Sequence, residues 1–536
     1  MSRLLAGLFL CLATLRAADS YDVCVYGGTA SGVMAACAAA KEGAKVIVVE
    51  PSRWLGGMTG GGLMHVDWGR DEAVSGSTRP ILKKDFKDAQ YRAAFAEMLK
   101  AAGVTVLFEH RIVAASKPDG AILSVDLDFA PFDEYGCPPE KPTRAKARVI
   151  KAKVFVDCSY EGDLMARAGV AYAYGREARA AYGESLAGAQ PPMSVYAIDP
   201  YVEPGDPRSG LLPGLQPTPV APVGEADKLT MGYGFRWRFV FKGEGLPIEP
   251  PTNYDPKHFE LYRRAFRQGV DIFSGRVMRG KVDGWEKSGG RVYSGGAGNL
   301  ARALFAPTNY GHNAGYADGD HATRARIWKE QQDFVRGMTH FLRTDPSVPA
   351  KQREIALSAA LEKGAFDDTK GYPHQLYVRE ARRMVSDYVV TQKDLEGRTN
   401  PADSVGLASY GVDEWPYATV ALDGKVALIG GYYSMLYLED ANRGIYRIPY
   451  RAIVPRKAQC ANLLVPVCVS ASHIAMTSIR MEPVWMILGE SAGVAAAMAV
   501  KSGSAVQDVP YAELYPKLRA LAQKVDLPKK KEPKEK

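Results

Sequence analysis

Residues 22–50 read DVCVYGGTASGVMAACAAAKEGAKVIVVE, and this stretch decides the fold. Asp22–Tyr26 is a short β-rich run. Gly27-Gly28-Thr29-Ala30-Ser31-Gly32 is a tight turn. Val33–Glu42 is alanine-rich, a composition with high helix propensity, and Gly43 suits a helix stop. Lys45–Glu50 is an apolar strand closed by an acid. Strand, turn, helix and strand in this order predict a βαβ crossover with parallel strands.

The turn has its own chemistry. A diphosphate needs backbone N–H donors and the positive end of a helix dipole, and a glycine turn opening a helix supplies both. Gly27 allows the sharp turn and Gly32 lets the helix pack closely on the sheet. Between them the general dinucleotide fingerprint has a third glycine, where this chain has Thr29. Glu50 ends the second strand, placed to accept hydrogen bonds from the ribose hydroxyls of an adenosine, and its charge disfavours a 2′-phosphate. Leu55–Gly62, LGGMTGGG, then brings five more glycines. So much bare backbone after the acid predicts packing against a large flat ligand, which a flavin provides and a nicotinamide dinucleotide does not.

Further along, Phe86–Ala102 reads as a helix and Val104–Glu109 as a strand. Ile112–Leu127 and Ala145–Ile150 form a β-meander, and Lys151–Asp157 another buried strand. Residues 189–223 and 243–255 are Pro- and Gly-rich loops. A helix covers Ala322–Thr344. Residues 376–391 do not separate strand from helix. Asn462–Val469 is an apolar strand and Val484–Val500 an alanine-rich helix. The two ends share one style, and the middle is richer in Pro, Tyr and Arg. The expected class is α/β: a Rossmann-type domain with a parallel central sheet and a β-meander, built from 19–175 and 446–510, interrupted by a mixed α+β substrate domain over 176–445 and followed by a C-terminal segment over 511–536.

Composition narrows the class. With 536 residues, 46% hydrophobic and 24% charged, the chain has the balance of a soluble globular protein of more than one domain. Residues 1–18 read as a signal peptide: Arg3, an apolar stretch from Leu4 to Leu15, and Ala17-Ala18 as a small-residue cleavage site. The run is too short to span a bilayer, and the mature chain is expected to be soluble and exported, periplasmic or secreted. The net charge of +8 resides partly in the tail LPKKKEPKEK, which reads as a solvated end, and no basic stripe elsewhere calls for nucleic acid. Six cysteines follow the leader without a C-x-x-C pair, so iron–sulfur and zinc sites are not expected and no metal ligands are assigned; a disulfide is open.

VCVYGGTASGVMAA (23–36) and VVEPSRWLGGMTGGGL (48–63) resemble the N-terminal signature of the FAD-dependent oxidoreductase family with the two-dinucleotide-binding-domain, glutathione-reductase-like fold. Members often carry Thr in the middle of the glycine turn. VFVDCSYEGDLMARAG (154–169), LYVREARRMVSDYVVT (376–391) and the stretch 449–493, with PYRAIVP, SASHIA, SIRMEP and MILGESAG, are similar to later segments of that family in the same order. The resemblance implies FAD as cofactor, held by Gly27, Gly28, Thr29, Ala30, Ser31, Gly32, Glu50, Gly56, Gly57, Met58, Asp157, Arg480, Glu482, Gly489 and Ala492. It implies an oxidoreductase but no substrate; the leading reading is hydride transfer from a polar metabolite to flavin N5, a carbohydrate alcohol being among the options on the exported location and the polar, aromatic middle region, with the electron acceptor unknown. A non-catalytic FAD- or nucleotide-binding protein and a flavin-dependent lyase or isomerase remain as alternatives. In ADSVGLASYGVDEWP (402–416) members often show Asp followed by Ser-His, where this chain has Asp413, Glu414 and Trp415.

Candidate catalytic groups are His473, Arg379 and His312. His473, in the loop before the last long helix, suits a general base that removes a hydroxyl proton. Arg379, Arg382 and Arg383 form the densest basic cluster of the middle region, suited to a carboxylate or polar sugar, with an internal ion network as the competing reading. Arg480 and Glu482 either pair with each other or touch the flavin. His312 lies in NYGHNAGYADGD, and His65 follows the second glycine cluster.

Overall fold

The computed structural model describes residues 19–528 apart from positions 64, 84–85, 218–219, 242–243, 270–290, 294–303, 305–307, 432 and 435–443. The leader and most of the Lys-rich tail lie outside the described residues.

The N-terminal unit forms as its pattern dictates. Strand β1 (Asp19–Tyr26) leads through the glycine turn into helix α1 (Ala30–Lys41), and the chain returns as β2 (Val46–Glu50), parallel to β1 with Val25 opposite Val48. Helix α2 (Gly57–Gly61) is a single turn in the second glycine cluster, and α3 (Asp88–Ala101) packs over α1. Then come β3 (Thr105–Phe108), β4 (His110–Ser116), β5 (Ser124–Phe129) and β6 (Arg144–Asp157). The sheet order is β3-β2-β1-β6-β5-β4. Strands β3, β2, β1 and β6 run parallel, and β6, β5 and β4 form an antiparallel meander.

Two strands expected as separate, 145–150 and 151–157, are one. The first half of β6 pairs with β5 in antiparallel register, Val125 opposite Ile150. Its second half lies beside β1, Cys24 opposite Phe155, and on the other edge takes the short parallel strand Leu463–Leu464. Exposure changes along the strand as its neighbours do: the β5 half is largely open and the last four residues are buried. Parallel strands covered on both faces read as continuous apolar runs.

Residues 376–391 contain only the two-residue strand Arg383–Met384, antiparallel to Tyr172–Ala173. In the middle region a three-stranded antiparallel sheet comprises Pro192–Tyr196, Pro416–Leu422 and Lys425–Gly430. Its hairpin turns at Asp423 and Gly424, both at positive φ. Helix α4 (His321–Thr344) is capped by Asp320, whose side chain accepts the Thr323 N–H at 2.8 Å. Helix α5 (His473–Ile479) packs on Val412–Asp413 and Gln392–Leu395, and α6 (Glu482–Ser502) returns to the parallel sheet. Helix α6 is long and apolar enough to cross a membrane, and it is almost wholly buried in the core. It crosses α1 closely: a Cβ on Gly489 would overlap the carbonyl of Ser31, and one on Gly493 the carbonyl of Ala35. The same core continues from sheet and helices into Tyr233, Phe235, Trp237 and Tyr372 of the middle region.

Candidate functional site

At the glycine turn, Gly27 sits at φ +95, where an L side chain is strained, and a Cβ on it would come 2.8 Å from the Cys158 carbonyl carbon. A Cβ on Gly32 would overlap the Gly27 carbonyl. Thr29 takes the role that a third glycine would leave empty. Its Oγ1 accepts the Gly32 N–H at 3.2 Å as the N-cap of α1 and donates to the Cys158 carbonyl at 2.9 Å. The first intrahelical bond runs from the Val33 N–H to the Thr29 carbonyl, which leaves the amides of Ala30 and Ser31 outside the helical ladder. Glu50 is buried at the end of β2. One carboxylate oxygen accepts the Gly28 N–H at 2.6 Å and the other the Ser52 amide at 2.8 Å and hydroxyl at 2.6 Å. Burial raises its carboxyl above the ordinary value, and these donors partly offset that.

The second glycine cluster docks on the first, the Gly56 N–H donating to the Gly28 carbonyl at 2.7 Å. Here an expectation is corrected. A Cβ on Gly57 would overlap the Tyr160 hydroxyl, one on Gly60 the Leu55 carbonyl, and one on Gly61 would lie 2.8 Å from Gln375 Cβ. The protein's own packing, rather than a flat ligand alone, requires glycine at these places. Met58 donates its N–H to Tyr160 Oη at 2.8 Å, and Tyr160 in turn donates to Glu482 at 2.8 Å. Thr59 donates to the other Glu482 oxygen. Glu482, the first residue of α6, is buried, and burial pushes its carboxyl up to about 7 against these hydrogen bonds.

Arg480 and Glu482 do not pair. Arg480 donates to Asp413 at 2.7 Å and to Tyr377 Oη at 3.0 Å, because Arg480 ends α5 and Glu482 begins α6 on different neighbours. Asp157 turns its oxygens to the Ser159 amide and hydroxyl and the Met165 amide, ordering the loop after β6. Gly489 and Ala492 are buried in α6, Gly489 against Ser31. All six described cysteines are free and buried.

His473 opens α5, and Ser472 is that helix's N-cap. Its ring is wholly buried, and Nδ1 lies 2.9 Å from Glu177 Oε2. Glu177 is held in turn by Arg383 at 2.6 Å. Although burial raises the Glu177 carboxyl, Arg383 and His473 bring it well below its ordinary value, so it is ionised and accepts. Burial lowers the His473 imidazole, against the pull of Glu177, so the ring is neutral at physiological pH. The Glu177 amide also lies 3.3 Å from Nδ1, but a nitrogen that donates to the carboxylate cannot accept. The proton therefore resides on Nδ1 and leaves Nε2 bare, and Nε2 is buried without a partner. Sequence reading did not single out Glu177, whose carboxylate fixes the His473 ring.

The arginine cluster divides. Arg382 pairs with Asp163 and Asp318, each at 3.0 Å, and Arg383 with Glu177 and Glu380. Arg379 meets no carboxylate among the described residues: its Nη1 donates to the Gly232 carbonyl, and it stacks on Trp415 at 3.8 Å and Tyr377 at 4.3 Å. Glu414 accepts the Tyr417 hydroxyl at 2.6 Å. His312 is half-buried, its Nε2 buried and unpartnered, and the groups that act on it, Gly214, Glu330 and His258, are none of those around His473. His65 is exposed and pairs with Asp67 at 3.5 Å.

Helix-start amides beside a turn that only glycine fits, with a buried carboxylate at the end of the neighbouring parallel strand, form a donor and acceptor set that fits a dinucleotide. A family model described as FAD dependent oxidoreductase matches residues 22–518. The chain belongs to this family. Like its family, this FAD-dependent oxidoreductase is an enzyme that uses FAD on a Rossmann-type sheet. A search of curated proteins gave no match. Among solved structures, the glycerol-3-phosphate dehydrogenase from Bacillus halodurans complexed with FAD is 16% identical over 28% of this chain and 36% of that one, with a TM-score of 0.20. T. acidophilum thioredoxin reductase is 17% identical over 26% and 34%, with a TM-score of 0.18. L-proline dehydrogenase from P. horikoshii is 18% identical over 26% and 22%, also at 0.18. The chain spans between about a fifth and little more than a third of these three, and likenesses this distant speak to neither substrate nor partner.

Proposed function

We propose that this enzyme is an exported FAD-dependent dehydrogenase of a small polar alcohol, with a carbohydrate alcohol in the range, and that His473 Nε2 takes the hydroxyl proton. The observation that carries this is the buried imidazole whose Nδ1 is fixed by an ionised Glu177 while Nε2 has no partner. An oriented neutral imidazole is the arrangement that general-base chemistry needs. Export rests on the apolar leader and its small-residue cleavage site.

In this reading the amides of Ala30 and Ser31, with Gly27, Gly28, Thr29 and Gly32 shaping the turn, hold the diphosphate, and Glu50 holds the adenosine ribose. Gly56, Gly57 and Met58 close over it, and Glu482 with Tyr160 and Thr59 shapes the start of α6. Asp157 and Gly489 act by packing, through the loop after β6 and the α1–α6 crossing. When bound, FAD supplies the two-electron acceptor. Glu177 stabilises the imidazolium that forms once Nε2 has taken its proton, and Arg383 holds Glu177 in place.

The test is an anaerobic screen of purified holoprotein with polyols, sugars and hydroxy acids, following the flavin band. At least one substrate is expected to bleach it, and His473→Asn is expected to slow bleaching on the order of 10²–10⁴-fold with FAD retained. Equal rates in the variant, or no bleaching by any compound, would contradict the reading.

A further inference from the structure

Arg176, Arg238, Arg324, Arg382, Arg383 and Arg480 are deeply buried, and each meets a carboxylate. Arg379 is equally buried and meets none. Of the five N–H donors of its guanidinium, one is bonded, to the Gly232 carbonyl, and Nε is buried without a partner. Among the described residues Arg236 also lacks a carboxylate: it donates to the Leu63 carbonyl at 2.9 Å and lies 4.6 Å from the Tyr377 ring centre. Arg480 donates to Tyr377 Oη. Three guanidinium groups thus gather at Tyr377, and among the described residues Asp413 is the one carboxylate paired with any of them, with Glu380 acting on Arg480 from farther off. The Tyr310 hydroxyl, close enough to Arg379 to interact electrostatically, is buried and unpartnered as well.

Such an excess of buried positive charge is costly unless something anionic completes it. Contacts with Trp415 and Tyr377 lower the cost but do not use the N–H donors, since ring stacking occupies the faces of the guanidinium plane and leaves its edge. An edge with two adjacent N–H groups matches the planar fork of a carboxylate. Arg379 and Arg383 are four residues apart in the chain, which spans at most about 14 Å, and Arg383 holds the Glu177 that orients His473.

We propose that Arg379, with Arg236 and Arg480 beside it, binds the carboxylate of the substrate, so that the substrate is a hydroxy acid rather than a neutral sugar or alcohol. The proposal rests on the reading of His473 as base. Bound FAD would supply the two-electron acceptor for the hydride leaving the alcohol carbon, while the O–H bond would break with its proton passing to His473 Nε2 and a C=O bond would form. The carboxylate is unchanged, and the product is an oxo acid. Burial, with Arg480 and Arg236 nearby and Tyr377 opposing them, pushes the Arg379 guanidinium down to about 9, so it stays cationic at neutral pH.

The experiment is an anaerobic titration of holoprotein with glycolate, lactate, malate and gluconate, each against its neutral counterpart, ethylene glycol, propane-1,2-diol, butane-1,2,4-triol or glucitol. Perturbation of the flavin spectrum reads binding, and bleaching reads oxidation. At least one acid is expected to bind wild type more tightly than its neutral partner. Arg379→Gln is expected to weaken that binding on the order of 100-fold with FAD retained, and Arg379→Lys less. If Arg379→Gln does not fold, Arg379→Lys carries the test. Binding that is indifferent to the carboxylate or to both variants overturns the proposal. So does loss of FAD from well-folded variants, which would make Arg379 a cofactor anchor. Binding without bleaching would leave the carboxylate site standing and count against His473 as base.

Discussion

Glu177 Oε2 lies 2.9 Å from His473 Nδ1, although 296 positions separate the two residues. The contact joins the stretch after β6 to the first residue of α5, so that both the ring's tautomer and its orientation depend on a carboxylate from the other half of the chain. A histidine that is buried, neutral and held on one side only is poised to gain a proton on the other.

The glycine turn allows a sharp test. Gly32→Ala would drive a methyl group into the Gly27 carbonyl. Overpacking of this kind costs about 1–3 kcal/mol and distorts backbone. A lower melting temperature together with loss of bound FAD is expected, read by thermal unfolding and by flavin content. Thr29→Ala, which loses the N-cap, is expected to cost about 1 kcal/mol.

The α1–α6 crossing is equally intolerant. Gly489→Ala would press on the Ser31 carbonyl, which belongs to rigid backbone. A loss of about 1–3 kcal/mol is expected in denaturant unfolding, and Ala492→Gly, which drives no atom into backbone, is expected to cost about 1 kcal/mol through glycine's poor helix propensity.

Glu482 makes stability depend on pH in a defined direction. Its carboxyl is raised from 4.5 to about 7 by burial. Below about 4.5 it is protonated both folded and unfolded. Between 4.5 and about 7 the folded chain keeps the proton that the unfolded chain releases, so this group's contribution falls as pH rises through that window. Glu482→Gln is expected to flatten that part of the profile of melting temperature against pH. An unchanged slope would contradict the assignment.

Asp163 receives Arg324 at 2.8 Å, Arg382 at 3.0 Å and Arg167 at 3.2 Å, and ties α4 to the loop after β6. Asp163→Asn would strand buried cations, a change that costs about 3–5 kcal/mol where a buried pair is broken. Equilibrium unfolding at neutral pH measures it.

How far the sequence could be read depended on the distance between partners. The βαβ unit was legible because its signals are local: an apolar run, a glycine turn, an alanine-rich helix and a terminal acid within 29 residues. The join in β6 was hidden because exposure changes halfway along the strand, from open to buried, as its neighbour changes from β5 to Leu463–Leu464. Arg379, Arg382 and Arg383 look alike in sequence. What separates them is where distant acids lie: Asp163 and Asp318 reach Arg382, Glu177 reaches Arg383, and Trp415 lies where Arg379 would need a carboxylate. Asp413 stood out as the family's Asp, followed by Glu414 and Trp415 in place of Ser-His, but its partner Arg480 is 67 positions away and neither residue names the other.

The measurement that bears most directly on the site is the pH dependence of flavin reduction in a single anaerobic turnover, compared among wild type, Glu177→Gln and His473→Asn, with FAD content and fold verified. The account predicts a rate that rises with pH as the imidazole loses its proton, a midpoint moved to lower pH in Glu177→Gln as the imidazolium loses its stabilising charge, and a slow, pH-independent rate in His473→Asn. A profile identical in all three proteins would contradict it.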